Sequence, residues 1–327
     1  MSLHRFHRVV ARRAVLATLA LCVTVTSVAC GSVDGDAGDA DAPTIAVSFP
    51  NYSRTPALQV EMRAAERRAA ERGYRIVLDD PGQDIDKQVS TIRTWIPQQY
   101  DAIVAVALDA TALEGIAAKV VESGTKWITY GSSLQNQSGE IDMQQEAAGA
   151  TLGRLAADWF NEKHGGTGEV AILTYEEAEW ARKRRESLEA TLAAAAPGVR
   201  VVARQDALSE TEGLDATKNI LQAHPGLNGV LAISESASVG AYSALPDKYS
   251  ADMYVGGMDG DREAIEAIAA GGAYRGSAAL DLPALGEGLV TTAIDAAEGA
   301  ESAVYRVTYV PVTAGSPELE QMQAVWK

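Results

Sequence analysis

Beyond residue 30 the chain has no cysteine, and it has only two histidines there, His164 and His224. No disulfide and no thiolate chemistry is available to the part that can fold. Two histidines cannot assemble a zinc-type cluster. Each lies near a predicted helix end, where a polar or cationic side chain complements the helix dipole. A Ser-His-Asp triad would need one of them, and the G-x-S-x-G turn that presents such a serine is missing. The G-x-x-x-x-G-K-[ST] phosphate loop is missing too. The turn after the first predicted strand, Pro50 to Pro56, contains no glycine, which removes the dinucleotide fingerprint. A glycosidase built on two carboxylates is not excluded by counting residues, but no feature supports one. Positive charge is also scarce: 28 Lys and Arg face 44 Asp and Glu, a net charge of −16. Such a surface repels phosphate backbones, so nucleic acid is not an expected partner. Four arginines gather between Arg63 and Arg72, but Glu61, Glu66 and Glu71 interleave with them and the stretch reads as a solvated helix face.

Long apolar runs are absent as well. The longest, Ala14 to Ala29, is shorter than the ~20 residues a membrane-spanning helix needs. It follows Arg5, Arg8, Arg12 and Arg13 and is the apolar core of a predicted secretory leader over residues 1–29. Arg12-Arg13-Ala14-Val15-Leu16 is similar to a twin-arginine export signal, and the general secretory route stays open beside it. Val28-Ala29-Cys30-Gly31-Ser32 resembles the lipobox of bacterial lipoproteins, with Ser27 where those favour Leu, and implies lipidation at Cys30. Acyl chains there would each contribute ~0.8 kcal/mol per buried methylene, enough together for a durable anchor. Residues 30–43 are rich in Gly, Ala, Ser and Asp and form a predicted flexible tether. The protein is therefore expected outside the cytoplasmic membrane, touching it through a lipid anchor only.

Past the tether, β-type runs alternate with helical ones. Ile45–Phe49, Arg75–Asp79, Ala102–Leu108 and Trp127–Tyr130 read as strands, separated by helices at Pro56–Arg72, Ile85–Ile96 and Leu113–Ser123. After the polar stretch Gly131–Gly139 the pattern restarts with a helix over Glu146–Glu162 and four further βα units; Tyr274–Ala278, a helix from Pro283 and a strand at Tyr305–Val310 finish it. Regular βα alternation predicts parallel sheets with right-handed crossovers. Two successive sets predict an α/β fold of two doubly wound lobes, as the length also suggests. Ligands in such folds sit outside the carboxyl ends of the strands.

Several stretches together resemble the sugar-binding, ribose-type periplasmic binding proteins of the type I class. They are Ile45-Ala46-Val47-Ser48-Phe49 followed by Pro56, Asp101-Ala102-Ile103-Val104, Gly168-Glu169-Val170-Ala171-Ile172-Leu173, Leu221-Gln222-Ala223-His224-Pro225 and Gly256-Gly257-Met258-Asp259-Gly260. The likeness runs from about Thr44 to Val312. It implies two lobes, 44–142 with 282–303 and 143–281 with 304–327. Three crossings would join them near Gly139–Met143, Ala278–Leu282 and Glu298–Val304. It implies hinge closure on a small polyhydroxylated ligand, delivery to an ABC permease, a monomer, and neither catalysis nor a cofactor or metal.

The family's binding arginine falls on Arg182, its turn aspartate on Asp259, and the polar residue of the second crossing on Asp281. Other positions depart from the ribose pattern. Ala57-Leu58 replaces two aromatics, Gly131-Ser132 replaces an Asp-Arg pair, Leu208 a phenylalanine, and Ser234-Glu235 stands for an Asn-Asp turn. Tyr52, Arg54, Tyr130 and Trp180 are the candidates to supply the missing stacking and hydrogen bonds, and Ser234 and Glu235 complete the expected site. The ligand class stays open among pentose, hexose, short oligosaccharide and nucleoside-like molecule. A surface sensor that presents the bound ligand to a signalling partner is the alternative role. A lactose-repressor-type regulator shares this fold, but would carry a basic helix-turn-helix where the leader and acidic tether stand.

Overall fold

A computed structural model of the protein describes residues 42–248 and 250–327. The predicted leader, Cys30 and the tether up to residue 41 lie outside the described residues. The first βα set comprises β1 (Thr44–Ser48), α1 (Pro56–Glu71), β2 (Arg75–Asp79), α2 (Ile85–Trp95), β3 (Ala102–Val106), α3 (Ala110–Glu122), β4 (Lys126–Tyr130) and β5 (Gly139–Asp142). The second comprises α4 (Gln145–His164), β6 (Thr167–Thr174), α5 (Glu179–Ala195), β7 (Gly198–Asp206), α6 (Glu210–Ala223), β8 (Gly229–Ala232), α7 (Glu235–Ala244), β9 (Tyr254–Asp259), α8 (Arg262–Ala269) and β10 (Tyr274–Leu280). The chain ends with α9 (Leu282–Ala297), β11 (Ala303–Arg306), β12 (Tyr309–Thr313) and α10 (Pro317–Val325).

Two six-stranded sheets result, ordered β2-β1-β3-β4-β5-β11 and β7-β6-β8-β9-β10-β12. Every pairing is parallel except β10 with β12. Central strands are buried on both faces, as in β1, where all five residues are shielded, so they read as continuous apolar runs. Order 2-1-3-4-5 is that of a doubly wound sheet, and it aims the carboxyl ends of β1, β4, β6, β8 and β9 at one edge of each lobe.

The chain leaves the first sheet at Met143–Gln144, returns at Asp281, and leaves again at Val307–Thr308. The last passage differs from expectation. The run read as one strand, Tyr305–Val310, is split between the two sheets, with β11 beside β5 and β12 beside β10. Val307 is buried within the split, so an apolar run continues through a change of sheet. Residues 303–306 therefore sit in the first sheet, and the third crossing falls after Glu298–Val304. β5 and α10 add to the expected elements; β5 is a short strand, Gly139-Glu140-Ile141-Asp142, with only every second residue buried.

Close helix pairs fix the spacing of the layers around the sheets. Gly149 on α4 lies so near α5 that a Cβ there would stand 2.1 Å from the carbonyl oxygen of Arg184. No side chain fits without pushing α5 away. Gly149→Ala is expected to destabilise the fold by ~1–3 kcal/mol through overpacking. Gly115 on α3 is exposed, and a Cβ there meets nothing within 4 Å. Gly115→Ala is accordingly expected to add ~0.5–1 kcal/mol from helix propensity. Urea unfolding of the two variants measures both; equal shifts would contradict the packing account.

Candidate functional site

A cavity of about 1010 Å³ opens between the lobes, with Asn51 and Gln83 on one side and Leu208, Ser236, Asp261 and Glu263 on the other. The first-lobe wall is the loop after β1. Asp80 holds that loop by accepting hydrogen bonds from the backbone N–H groups of Asn51 at 2.8 Å, Ser53 at 2.8 Å and Gly82 at 2.9 Å. Burial works against its charge, but hydrogen bonds led by those of Ser53 hold the carboxyl down at about 2.

The second-lobe wall is organised by a charge. On α5 the buried positions Ala181, Arg184, Leu188 and Leu192 form one stripe, so Arg184 points inward although its neighbours are exposed or partly so. Its Nη1 donates to Asp259 Oδ1 at 2.9 Å and to the Ile233 carbonyl at 2.8 Å. Its Nε donates to Gln145 Oε1 at 2.6 Å and its Nη2 to the Tyr309 hydroxyl at 3.3 Å. The guanidinium also lies 5.4 Å from the centre of the Trp180 ring. Side-chain exposure is 6% for Arg184 and 31% for Asp259, so the pair is closed on the arginine side and open on the carboxylate side. Burial pushes the Asp259 carboxyl up, with Arg184 opposing. Asp259 takes φ of 114°, a left-handed conformation that a side chain disfavours, and Gly260 follows at 82°.

Glu235 holds that strained turn. It is 1% exposed. Its Oε2 accepts from the Gly260 N–H at 2.6 Å and from the Ser277 hydroxyl, and its Oε1 from the Tyr274 hydroxyl. Burial pushes its carboxyl up to about 8 against those three donors. The expectation that Glu235 meets ligand is corrected here: its carboxylate faces inward and supports the backbone beside Asp259.

Arg182 donates to the Glu176 carbonyl at 2.7 Å, just ahead of α5. The arginine beside Asp259 is Arg184, two residues on. The stripe Ala181, Leu188, Leu192 is visible in the sequence and has room at 184 and not at 182. Ser234 caps α7, accepting from the Ala237 N–H at 3.3 Å, and donates to the Leu208 carbonyl at 2.8 Å. Asp281 caps α9 through the Ala284 N–H at 3.1 Å and accepts from Gln321 at 3.0 Å. Tyr130 packs edge-on against Phe49, and its hydroxyl shares a 3.2 Å hydrogen bond with Glu61 Oε2. Tyr52 and Arg54 form a 3₁₀ turn after β1, and Arg54 borders a recess of about 350 Å³ shared with Asp261 and Trp326. Trp180, 37% exposed, borders a second interlobe recess of about 440 Å³ with Gly131, Ser132 and Gln145.

Gln145, Tyr309, Asp261 and Glu61 are additions to the expected set. Asp261 lines the main cavity, and its carboxyl is pushed up to about 6 by burial and by the like charges of Asp259 and Glu263. Glu61 is not on the solvated face with Glu66 and Glu71; it is wholly buried. Among the described residues no cluster of His, Cys, Asp and Glu could hold a metal, and no helix is long and apolar enough to cross a membrane.

Residues 45–301 match the periplasmic binding protein domain. The ribose import binding protein of Bacillus subtilis is 27% identical over 207 residues, spanning 63% of this chain and 66% of that protein. The D-apiose import binding protein of Actinobacillus succinogenes is 27% identical over 240 residues, 73% of this chain and 77% of that one. In fold, the chain is similar to an ABC transporter solute binding protein from Bacillus halodurans solved with bound myo-inositol, at a TM-score of 0.73 and 23% identity, covering 88% of this chain and 99% of that one.

Two outcomes test the site's electrostatics. Removing Arg184 leaves Asp259 partly buried and unpaired, so Arg184→Ala is expected to cost ~2–3 kcal/mol in urea unfolding, whereas Arg182→Ala stays within ~0.5 kcal/mol. Glu61 and Glu235 both hold a proton up to about pH 8 in the folded chain against an ordinary value of 4.5. Between those values the folded state binds more protons than the unfolded one. Unfolding free energy should therefore be highest below 4.5 with respect to these two groups and fall as pH rises through 8. A wild-type profile that falls across that window no more steeply than those of Glu61→Gln and Glu235→Gln would contradict the assignment.

Proposed function

The chain belongs to the periplasmic binding protein domain family, and from that premise we propose that it captures a small polyhydroxylated ligand, a sugar or polyol, between its lobes and delivers it to an ABC permease. The observation that carries this reading is the Arg184–Asp259 pair: a fixed guanidinium and a carboxylate partly open to the cleft. The Asp259 carboxylate, planar, charged and held in place by the buried guanidinium, is the group that can bridge vicinal hydroxyls. Trp180 and Tyr130 offer flat faces to the C–H side of a ring. Asn51, Tyr52 and Arg54 would reach the ligand from the first lobe on closure. Ser234 and Asp281 contribute from helix starts at the cleft edge, with side chains already engaged in caps.

The lobes would be 44–142 with 282–306 and 143–281 with 307–327, bending at the three passages between sheets. Binding needs no bond made or broken, and selection rests on polar groups that a wrong ligand would leave unpaired. Export through the leader and acylation of Cys30 would hold the protein at the outer face of the membrane as a tethered monomer. The sugar and import names of the relatives support the role.

A melting screen of the chain from Ser32 onward against sugars and polyols tests the reading. Ligand at ~100 times its dissociation constant should add ~2.7 kcal/mol of stability. Asp259→Ala should weaken binding by ~1.5–3 kcal/mol, or roughly 10- to 100-fold. Absence of any shift across the panel would overturn the sugar assignment. Unchanged affinity in the variant would remove Asp259 from the site.

A further inference from the structure

Glu61 belongs to no cap and no ion pair. It projects from α1 into the first lobe and is 0% exposed. Its Oε2 lies 3.2 Å from the Tyr130 hydroxyl, and its Oε1 is buried without a hydrogen-bond partner. The titratable groups set against it are Tyr130 on β4 and Tyr305 on β11. On α9, Gly286 packs against its backbone, and the charged groups of that helix near this shell, Asp281 and Glu287, act on Tyr305. On β2, Arg75 and Asp79 are engaged with Thr44 and Thr91.

A carboxylate with one oxygen unpartnered in apolar surroundings is disfavoured against the neutral acid. The neutral acid is best placed with its proton on Oε2, donated to the Tyr130 oxygen, because a bare carbonyl Oε1 costs less than an orphaned charge. Tyr130 then keeps its own proton for another acceptor. The residue stands at the carboxyl end of β4, half-buried, directly before Gly131 and Ser132, which border the recess under Trp180. Asp259 and Tyr309, across the hinge, are near enough to act on its ionisation.

We infer that Glu61 is a positioning residue: as the neutral acid it turns the Tyr130 hydroxyl into a hydrogen-bond donor for the cleft, and as the carboxylate it takes that donor away. The ionised form can only accept, so Tyr130 must donate inward and present a lone pair to the ligand. Proton release from Glu61 thereby reverses one hydrogen bond in the site without moving the backbone. Burial raises the Glu61 carboxyl to about 8, which puts the reversal just above neutrality. The inference rests on the sugar-binding reading for its effect on affinity, but not for its effect on Tyr130.

Carbon-13 NMR titration of the ligand-free protein separates the two. The Glu61 carboxyl resonance, identified by its loss in Glu61→Gln, is expected to titrate near 8, and the Tyr130 Cζ resonance to follow with the same midpoint in wild type only. For a sugar found in the screen, affinity should change by up to about tenfold between about pH 6.5 and about 9.5 in wild type and stay within about twofold in Glu61→Gln, one hydrogen bond and its direction being at stake. If Gln at 61 does not fold, Tyr130→Phe must flatten the same pH profile. A Glu61 midpoint below about 6, or a Tyr130 resonance that ignores it, overturns the inference. Parallel pH profiles in wild type and variant do so too. If no sugar binds, the functional reading fails while the two resonances still decide the hold of Glu61 on Tyr130.

Discussion

A guanidinium taken out of water has to be neutralised where it stands, and in this protein that requirement shapes the wall of the cleft. Arg184 is 6% exposed in its side chain and meets four partners: Asp259, the Ile233 carbonyl, Gln145 and Tyr309. They come from β9, the end of β8, the first residue of α4 and the first of β12. Two of the three passages between sheets therefore end on this one side chain. Tyr309 ties it further to the first passage by donating to the Met143 carbonyl at 2.9 Å. A buried pair of this kind adds little net stability compared with apolar residues of the same shape. Its value lies in fixed geometry, since a fully satisfied polar network has one arrangement.

The two buried glutamates show how surroundings divide the same side chain between two tasks. Glu235 meets the donors Gly260, Tyr274, Ser277 and Ser238 and holds the left-handed Asp259–Gly260 turn, so the strain at φ 114° is offset by hydrogen bonds directly behind it. Glu61 meets one phenol and leaves an oxygen bare. The first is fully engaged and its role is to keep the backbone still. The second has a partner whose hydrogen bond can run in either direction, so its proton carries information into the cleft.

The fold was largely legible because it depends on periodicity. Apolar strands and amphipathic helices alternate at spacings that admit few other architectures, and the Gly-Gly-Met-Asp-Gly run places Asp259 at the end of a strand. What escaped depends on phase and on partners. Arg182 and Arg184 share a motif, and only the buried stripe through Ala181, Leu188 and Leu192 separates them. Glu61 looked like part of an Arg-Glu surface, yet it shares its face with Val60, Ala64 and Ala65, all buried. Glu235 looked like a ligand group because a carboxylate after a strand is polar and well placed; its donors on β10 and at the Gly260 turn are far away in sequence. The split of Tyr305–Val310 between sheets escaped because Val307 keeps the apolar run unbroken through the crossing.

The two walls of the cleft play unequal parts. The second-lobe wall is built before any ligand arrives: its arginine, its carboxylate and the turn beneath them are all held by buried hydrogen bonds. The first-lobe wall is a loop pinned at its root by Asp80 and presenting Asn51 and Arg54 at its tip. A ligand docked on the preformed wall loses little to reorganisation there, and what it gains from the loop must cover the cost of bending the hinge. A hinge of this kind responds only to the difference in affinity between open and closed forms. On the proposed reading, discrimination among ligands would reside with the Asp259 carboxylate that Arg184 fixes. The groups that would meet the ligand only on closure, the Asn51–Arg54 loop and the Tyr130 hydroxyl that Glu61 is inferred to steer, would then determine how far a bound ligand shuts the cleft.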